Sequence, residues 1–296
     1  AIDDPLFHFA VVVDDGDLGV THVIRGEDHI SNTPRQILIQ EALGYSRPAY
    51  VHLPLVLAED RTKLSKRKGA KALTEYRDAG ILPEAMLNYL AFIGWNPGDD
   101  QEYLSRKELS EAFSFDRIQK SGAIFDETKL VSVNQHWMRK LSDEEFVEKG
   151  NLVTPDMETL MKVVPLMKER AKTFKEAREM IVGELSCLFN PPSLDKSLLT
   201  AKEPEGVPGF TKTALEGFLG PVEALLDGLS PEAVKEALMP IADQNPKEQG
   251  GRGAFLWPLR YALSGAEKSP DPFTLVSILR THESLSRIKA AIETLS

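Results

Sequence analysis

Strand patterns and helix patterns occupy different parts of this 296-residue chain, and that separation constrains its fold more than any other feature. In the first 60 residues, apolar runs over 9–13, 20–24 and 52–58 predict strands, and Pro34 to Gly44 predicts a helix. Beyond residue 71, strand patterns become sparse and apolar residues recur at helical spacing. The sequence therefore predicts an α/β part followed by an all-α part.

Capping residues and helix breakers divide the all-α part into segments. Helices are predicted over 83–93, 105–113, 126–133, 143–150, 156–185, 211–219, 221–226, 231–241, 254–263, 273–279 and 283–295. The proline- and glycine-rich segment 190–209 predicts a bend between two helical halves.

The composition excludes several classes of protein. There is no apolar run of 18 residues, so no membrane span is predicted, and the first residues lack the pattern of a signal peptide. The single cysteine, Cys187, excludes an intramolecular disulfide and a cysteine-rich zinc site, and its apolar neighbours predict a buried thiol. We expect a cytoplasmic, monomeric protein without a bound metal ion.

The segment 61–71 is basic although the chain as a whole has a net charge of −10. The overall charge argues against a dedicated nucleic-acid-binding protein, but phosphate contacts need only a local basic surface. Because the segment follows the predicted strand 52–58, it lies where α/β sheets bind ligands. A solvated loop and an anion site are both open interpretations. Its basic residues are Arg61, Lys63, Lys66, Arg67, Lys68 and Lys71.

Within this segment, Lys63-Leu64-Ser65-Lys66-Arg67 resembles the KMSKS signature of class I aminoacyl-tRNA synthetases. In amino-acid activation a carboxylate attacks the α-phosphorus of ATP, and negative charge moves onto the departing pyrophosphate. A lysine ammonium at that point stabilises the transition state more than the ground state. The resemblance therefore implies catalytic roles for Lys66 and Lys63.

Other segments resemble the glutamyl-tRNA synthetases in particular. They are Phe9–Asp15, Gly19–His29, His52–Leu55, Leu82–Leu90, Ile93–Trp95, Phe125–Asp126, Lys129–Leu130, Trp257–Arg260 and Ser269–Pro270. The resemblance implies the carboxyl-terminal half of a Rossmann-type catalytic domain (1–70), a stem-contact domain (71–150) and a helical anticodon-binding domain (151–296). The helical end indicates a bacterial-type member, since archaeal and eukaryotic relatives have β-barrels there.

The resemblance also implies the residues that bind small substrates. Arg25 would bind the side-chain carboxylate of glutamate, with Phe7 and Val11 lining its pocket. ATP would bind with Mg²⁺ as a substrate complex. The expected ATP-binding residues are His52, Val56, Lys63, Ser65, Lys66 and Asp28, and Glu27 and Asp28 are also open to interpretation as loop acids.

For tRNA(Glu), the expected anticodon contacts are Arg260, Ser269, Pro270 and Phe273. Unstacked bases need guanidinium or aromatic planes and polar edges, which these residue types supply. Arg170 resembles the arginine that senses the first anticodon base in enzymes that reject tRNA(Gln). A non-discriminating enzyme that also charges tRNA(Gln) is the alternative.

A HIGH-type histidine pair on a glycine-rich turn is missing from the sequence. We therefore expect a carboxyl-terminal part of a longer synthetase, inactive alone. A tRNA-binding module that lost amino-acid activation is the second hypothesis. A metal-dependent hydrolase is disfavoured, because no His, Asp or Glu cluster has ligand spacing.

Overall fold

The computed structural model describes residues 4–65, 67 and 69–296. The chain forms two compact units, Ala1–Met138 and Arg139–Ser296. Strands occur in the first unit, and all the regular elements described in the second unit are helices, so the predicted order of α/β followed by all-α is confirmed. The finer division into three domains stays a prediction.

The first unit begins with the helix α1 (Phe7–Asp17), and its strands are short. The parallel strands β1 (His22–Gly26) and β2 (Ala49–Leu53) are separated by a 3-10 turn over Glu27–Asn32 and by α2 (Thr33–Leu43). A second parallel pair joins β3 (Val56–Leu57) to β4 (Ala123–Ile124). The other helices of the unit are α3 (Leu73–Asp78), α4 (Pro83–Gly94), α5 (Arg106–Ala112) and α6 (Glu127–Lys140).

The predicted strand over residues 9–13 is wrong, because these residues lie inside α1. Short apolar runs do not distinguish a strand from a helix by periodicity alone. A strand must find hydrogen-bond partners on a neighbouring strand, whereas a helix satisfies its backbone internally. Within the described residues β1 and β2 pair only with each other, and the run folds as a helix with Val12 1% exposed.

The predicted strand over 52–58 is divided in two at Pro54, which has no backbone N–H to give to a ladder. The next residue, Leu55, donates its N–H to Glu27 Oε1 at 3.2 Å. This bond ties the connection between β2 and β3 to the 3-10 turn that follows β1. Glu27 therefore has a structural contact in this fold.

Two buried asparagines fasten the helices of the first unit. Asn134 Oδ1 accepts the N–H of Leu82 at 2.8 Å, which satisfies a backbone donor at the start of α4. Asn88 Oδ1 accepts from Leu104 N at 3.3 Å and from Trp137 Nε1 at 3.1 Å. Buried amides that are hydrogen-bonded in this way fix the register of the helices that they join.

The second unit contains α7 to α14. Their bounds are Asp143–Gly150, Met157–Arg170, Phe174–Val182, Lys196–Leu199, Phe210–Glu223, Pro231–Asp243, Gly251–Ser264 and Pro272–Leu295. The predicted helix over 156–185 is interrupted because Thr173 caps α9, its hydroxyl accepting from Glu176 N at 3.2 Å. The predicted break before Pro221 does not occur, since this proline lies in the last turn of α11.

The last helix, α14, changes direction at Arg280, whose φ of 65° and ψ of 168° are not helical. Separate helices over 273–279 and 283–295 are therefore a correct prediction. Beyond the break, the buried Arg287 donates to the carbonyl oxygens of Cys187 and Leu263, both at 2.7 Å, and pairs with Glu283 at 2.7 Å. Cys187 is buried as predicted, and burial raises the pKa of its thiol.

Candidate functional site

A polar cluster lies on one face of the β1–β2 pair. Arg25 is directly opposite His52 in the parallel register, and Val23 is opposite Tyr50. Since side chains alternate along a strand, Arg25, Tyr50 and His52 share a face. The guanidinium carbon of Arg25 lies 5.4 Å from the centre of the Tyr50 ring, which stacks nearly parallel to the His52 ring at 6.3 Å. The fold therefore brings together the predicted glutamate residue Arg25 and the predicted ATP residue His52.

Thr33, the first residue of α2, joins these two side chains. Arg25 Nη2 donates to Thr33 Oγ1 at 2.9 Å, and the same oxygen lies 3.1 Å from His52 Nε2. Burial lowers the pKa of His52, and the positive charges of Arg25 and His29 lower it further. The imidazole is therefore held towards its neutral form. In the sequence, Thr33 is a candidate cap for the helix that follows it, and its position eight residues after Arg25 carries no local signal of this contact.

Phe7 and Val11, the predicted walls of the glutamate pocket, lie one helical turn apart on α1. The Phe7 ring is 56% exposed, and its centre lies 6.4 Å from that of the His29 ring. Val11 is half-buried. His29 follows Arg25 in the 3-10 turn, so Phe7 reaches the end of β1, where Arg25 lies. The role of both residues as pocket walls stays a prediction.

The basic loop starts from a tight turn. Asp60 Oδ1 accepts from the backbone N–H and the hydroxyl of Thr62, and Arg61 has a φ of 62°. Lys63 then forms an antiparallel bridge with Leu57, and Leu64 donates its N–H to Val56 O at 2.9 Å. The carbonyl group of Val56, a predicted ATP-binding residue, is therefore engaged by the loop itself.

Lys63 connects this loop to the end of β1. Its Nζ donates to Asp28 Oδ2 at 2.5 Å, although both side chains remain accessible to solvent, at 59% and 34% exposure. The hydrogen bond from Lys63 lowers the pKa of Asp28, and the positive charge of Lys63 adds to this effect. Two predicted ATP-binding residues are thus in contact. One of them, Asp28, lies three residues after Arg25 along the chain.

Lys66, the predicted catalytic lysine, lies outside the described residues, and its role stays a prediction. Ser65 is exposed next to it. Farther along, Lys71 pairs with Glu127, and its ammonium lies 5.7 Å from the centre of the Tyr76 ring. Burial raises the pKa of Tyr76 to about 12, with Glu127 contributing. The sequence did not indicate this contact, because Glu127 is distant along the chain.

In the second unit, hydrogen bonds and an aromatic ring hold the planar guanidinium of Arg260 in place on α13. Its Nη1 donates to Ser269 Oγ at 3.1 Å and its Nη2 to Glu267 O at 2.8 Å. The guanidinium carbon lies 4.8 Å from the centre of the Trp257 ring, and Ser269 donates to Pro270 O at 3.1 Å. Burial lowers the pKa of Arg260. Three predicted anticodon residues, Arg260, Ser269 and Pro270, are therefore adjacent.

The other predicted anticodon residues differ in accessibility. Phe273 is only 5% exposed and belongs to the hydrophobic core, so its direct contact with a base stays untested. The side chain of Arg170 is 40% exposed at the end of α8, where Nη1 lies 3.3 Å from Glu184 Oε1. The role of Arg170 in sensing the first anticodon base stays a prediction.

Among the residues that the structure describes, there is no group of three or more His, Cys, Asp or Glu side chains that could hold a metal ion. No helix in the described ranges has both the length and the apolar character needed to cross a membrane.

Comparison with known proteins gives two family matches that divide the chain. The family described as "tRNA synthetases class I (E and Q), catalytic domain" matches residues 2–132, and the family described as "Anticodon binding domain" matches residues 132–292. The second match alone covers more than half of the chain. The two matches follow the order of the α/β and all-α parts.

Individual relatives agree with these matches. The glutamate–tRNA ligase of Desulforamulus reducens is 35% identical, over 98% of this chain and 60% of that protein. The glutamate–tRNA ligase of Syntrophobacter fumaroxidans is 37% identical, over 97% of this chain and 60% of that protein. The chain thus spans about 60% of the length of these curated relatives.

A solved structure is also similar: a glutamate tRNA ligase from Elizabethkingia meningosepticum in complex with its amino acid. It has a TM-score of 0.78 and 31% identity, and the match covers 99% of this chain and 61% of that one. The resemblance inferred from the sequence motifs is confirmed. This chain belongs to the class I tRNA synthetases for glutamate and glutamine, with catalytic-domain sequence followed by an anticodon-binding domain.

Proposed function

We propose that the chain supplies part of a glutamate–tRNA ligase, namely the glutamate-binding arginine, the phosphate-binding loop and the anticodon-binding domain. Its substrates would be glutamate, ATP with Mg²⁺, and tRNA(Glu). We also propose that the protein works as a monomer in the cytoplasm, where these substrates occur together. The proposal rests on the family and on the geometry of the two candidate sites.

The contact between Lys63 and Asp28 carries this proposal. It attaches the basic loop to the same strand end that presents Arg25. A carboxylate bound by Arg25 and phosphates bound by the loop would then lie near each other, as the joining of an amino acid to ATP requires. In α/β sheets, ligands bind at the carboxyl ends of the strands, and both groups lie there.

In the proposed reaction, the α-carboxylate of glutamate attacks the α-phosphorus of ATP, giving glutamyl-adenylate and pyrophosphate. A terminal hydroxyl group of the tRNA then attacks the mixed anhydride, and AMP leaves. Arg25 would hold the side-chain carboxylate by paired hydrogen bonds. Lys63 and Lys66 would stabilise the charge that develops on pyrophosphate, and one such bond accelerates the step by about tenfold to a hundredfold.

Glutamate-dependent exchange of pyrophosphate into ATP tests the activation step. We expect exchange by the complete gene product, a large loss in Lys66→Ala, and a selective loss of glutamate binding in Arg25→Gln. Exchange that is absent while tRNA(Glu) still binds would contradict activation and favour the second hypothesis, a tRNA-binding module. Lys71→Ala is a matched control, because Lys71 is a basic residue near the loop that pairs with Glu127 instead.

The choice of tRNA is a separate part of the proposal. The half-exposed guanidinium of Arg170 at the end of α8 supports a role in sensing the first anticodon base. We expect Arg170→Gln to reduce discrimination between tRNA(Glu) and tRNA(Gln) in charging assays. Unchanged discrimination would contradict this role and favour a non-discriminating enzyme.

A further inference from the structure

Thr33 lies where α2 starts and contacts one side chain from each strand of the β1–β2 pair. We propose that Thr33 is a positioning residue that orients the guanidinium of Arg25 towards a carboxylate and holds His52 as the tautomer protonated on Nδ1. Through Arg25 it would contribute to the preference of this site for glutamate over glutamine. This inference rests on the proposed role of Arg25 as the glutamate-binding residue.

The chemistry of the guanidinium fixes the direction of the first bond. A guanidinium has donors only, so Thr33 Oγ1 must accept from Arg25 Nη2 at 2.9 Å. The hydroxyl group then has one hydrogen left to donate. It can go to His52 Nε2 at 3.1 Å or to the carbonyl oxygen of His29 at 3.4 Å, and we assign it to the histidine nitrogen, which is the nearer.

An Nε2 atom that accepts a hydrogen bond carries no proton, so the neutral ring must carry its proton on Nδ1. The charged groups around His52 agree with a neutral ring. Arg25 on the neighbouring strand and His29 in the 3-10 turn both oppose a positive charge on it, and Tyr50 on its own strand presents a stacked ring. Thr33 thereby fixes the orientation of the His52 ring and that of the Arg25 guanidinium at the same time.

The guanidinium of Arg25 is held on two sides by this arrangement. Thr33 occupies one Nη2 hydrogen, and the ring of Tyr50 lies 5.4 Å from the guanidinium carbon. Arg25 Nε is buried and has no hydrogen-bond partner among the residues that the structure describes. A buried donor without a partner is costly, and a ligand oxygen would satisfy it.

The N–H groups of Arg25 that Thr33 does not occupy distinguish an acid from an amide. A carboxylate presents two acceptor oxygens to a pair of guanidinium N–H groups. The glutamine amide presents one oxygen and an NH₂ group, and the NH₂ group would face another donor. A fixed guanidinium rejects the amide more strongly than a mobile one, because a mobile one can turn to avoid the donor–donor contact.

Nuclear magnetic resonance of the chain with ¹⁵N-labelled histidine and arginine tests the positioning. In the wild type we expect His52 as the Nδ1-protonated tautomer and a dispersed Nε–H signal from Arg25. Thr33→Val keeps the shape but removes the hydroxyl group, so the tautomer preference and the dispersion should be lost. Thr33→Ser should restore both.

A matched control is available on the same sheet. Thr21 Oγ1 lies 3.0 Å from His22 Nδ1 in an exposed pair of the same chemistry. Thr21→Val should leave the signals of His52 and Arg25 unchanged. If Thr33→Val also leaves them unchanged while the circular dichroism spectrum shows a folded chain, the proposed positioning is wrong.

Calorimetric titration with glutamate and glutamine tests the consequence for specificity. We expect Thr33→Val to weaken glutamate binding about tenfold, the effect of one hydrogen bond to a charged group, with a smaller change for glutamine. Equal losses for both ligands would overturn the role in specificity. A wild-type chain that binds both ligands equally would contradict the function proposed for Arg25, while the tautomer measurement would still decide whether Thr33 positions its two neighbours.

Discussion

The backbone of Arg280 has a conformation that glycine adopts readily and other residues avoid. Its φ of 65° and ψ of 168° lie in a region that costs about 1–3 kcal/mol for a residue with a Cβ atom. The neighbouring contacts hold the conformation in place. Arg280 pairs with Glu158, and Thr281 N donates to Asp227 Oδ1 at 2.9 Å.

Replacing Arg280 tests whether this strain is real. We expect Arg280→Gly to be about 1–2 kcal/mol more stable than Arg280→Ala in urea denaturation, because both lose the exposed ion pair and only alanine keeps the Cβ atom. In an ordinary helix interior alanine would be the more stable of the two. That ordinary ranking at position 280 would contradict the strained conformation.

The contact between Lys63 and Asp28 predicts how the carboxyl group of Asp28 titrates. Its folded pKa lies below the ordinary value of an aspartate, so the contact contributes to stability above the unfolded pKa and is lost as the pH falls through the lower folded value. We expect a ¹³C titration of the carboxyl group to show a midpoint below that ordinary value in the wild type.

The Lys63→Met variant should raise this midpoint towards the ordinary value, because its side chain cannot donate to Asp28. Lys71→Met should leave the midpoint unchanged, since Lys71 pairs with Glu127. A normal pKa of Asp28 in the wild type would mean that Lys63 is free in solution.

At the scale of secondary-structure elements, Arg287 joins three parts of the second unit. Its guanidinium contacts the carbonyl oxygens of Cys187 and Leu263 and the carboxylate of Glu283, and it is 7% exposed. These bonds connect α14 with the end of α13 and with the 3-10 turn Ser186–Leu188. Two backbone carbonyl groups would be left without this donor if the arginine were replaced.

We expect Arg287→Met to lower the free energy of unfolding by about 3–5 kcal/mol, because methionine fills the space but leaves buried polar partners unsatisfied. Arg178→Met would be an unsuitable control, since Arg178 also bonds a carbonyl group, that of Gly150. Arg252→Met is better matched, because it removes an exposed arginine from the same unit and should change stability by less than about 1 kcal/mol. Equal effects of the two variants would contradict the buried role of Arg287.

Elements whose signals are local could be predicted from the sequence, and those that depend on distant partners could not. The helix after Pro34 and the helices on both sides of Arg280 follow from caps and periodicity within a few residues. The strand predicted over 9–13 failed because the choice between strand and helix depends on a pairing partner elsewhere in the chain.

The same distinction applies to the candidate sites. Arg25 and Lys63 were identified from motifs, whereas the bridge through Thr33 joins residues on three elements and has no pattern along the chain. Its discovery from sequence would have required the register that places Arg25 opposite His52. Arg287 was missed for the same reason, because its partner Cys187 is 100 residues away.

At the scale of the whole molecule, the net charge of −10 means that the proposed tRNA partner would have to bind through local contacts. The platform formed by Arg260, Ser269 and Trp257 would be such a local contact, and it offers a planar cation and an aromatic ring. Stacking on such groups contributes about 1–3 kcal/mol per base. Binding at this platform should therefore depend on the shape of the arginine more than on its charge.

We expect Arg260→Met to weaken the binding of the tRNA(Glu) anticodon stem-loop about tenfold or more in fluorescence anisotropy. Arg252→Met removes the same charge from the same helix, where Arg252 pairs with Asp243, and should have little effect. The salt dependence of binding should be nearly equal in the wild type and Arg260→Met, because stacking releases no counterion. A similar loss in both variants would indicate non-specific attraction.

The cations around Trp257 give the molecule an intrinsic optical reporter. Arg260 lies 4.8 Å and Lys202 5.9 Å from the centre of the indole ring, and its Nε1 donates to Leu198 O at 2.9 Å. The emission of an indole depends on nearby charge and on solvent, so a base that displaces water from Arg260 would change the fluorescence of Trp257. The other two tryptophans, Trp95 and Trp137, belong to the first unit, and their emission would form a steady background. Occupancy of the platform could then be followed in real time without any attached dye.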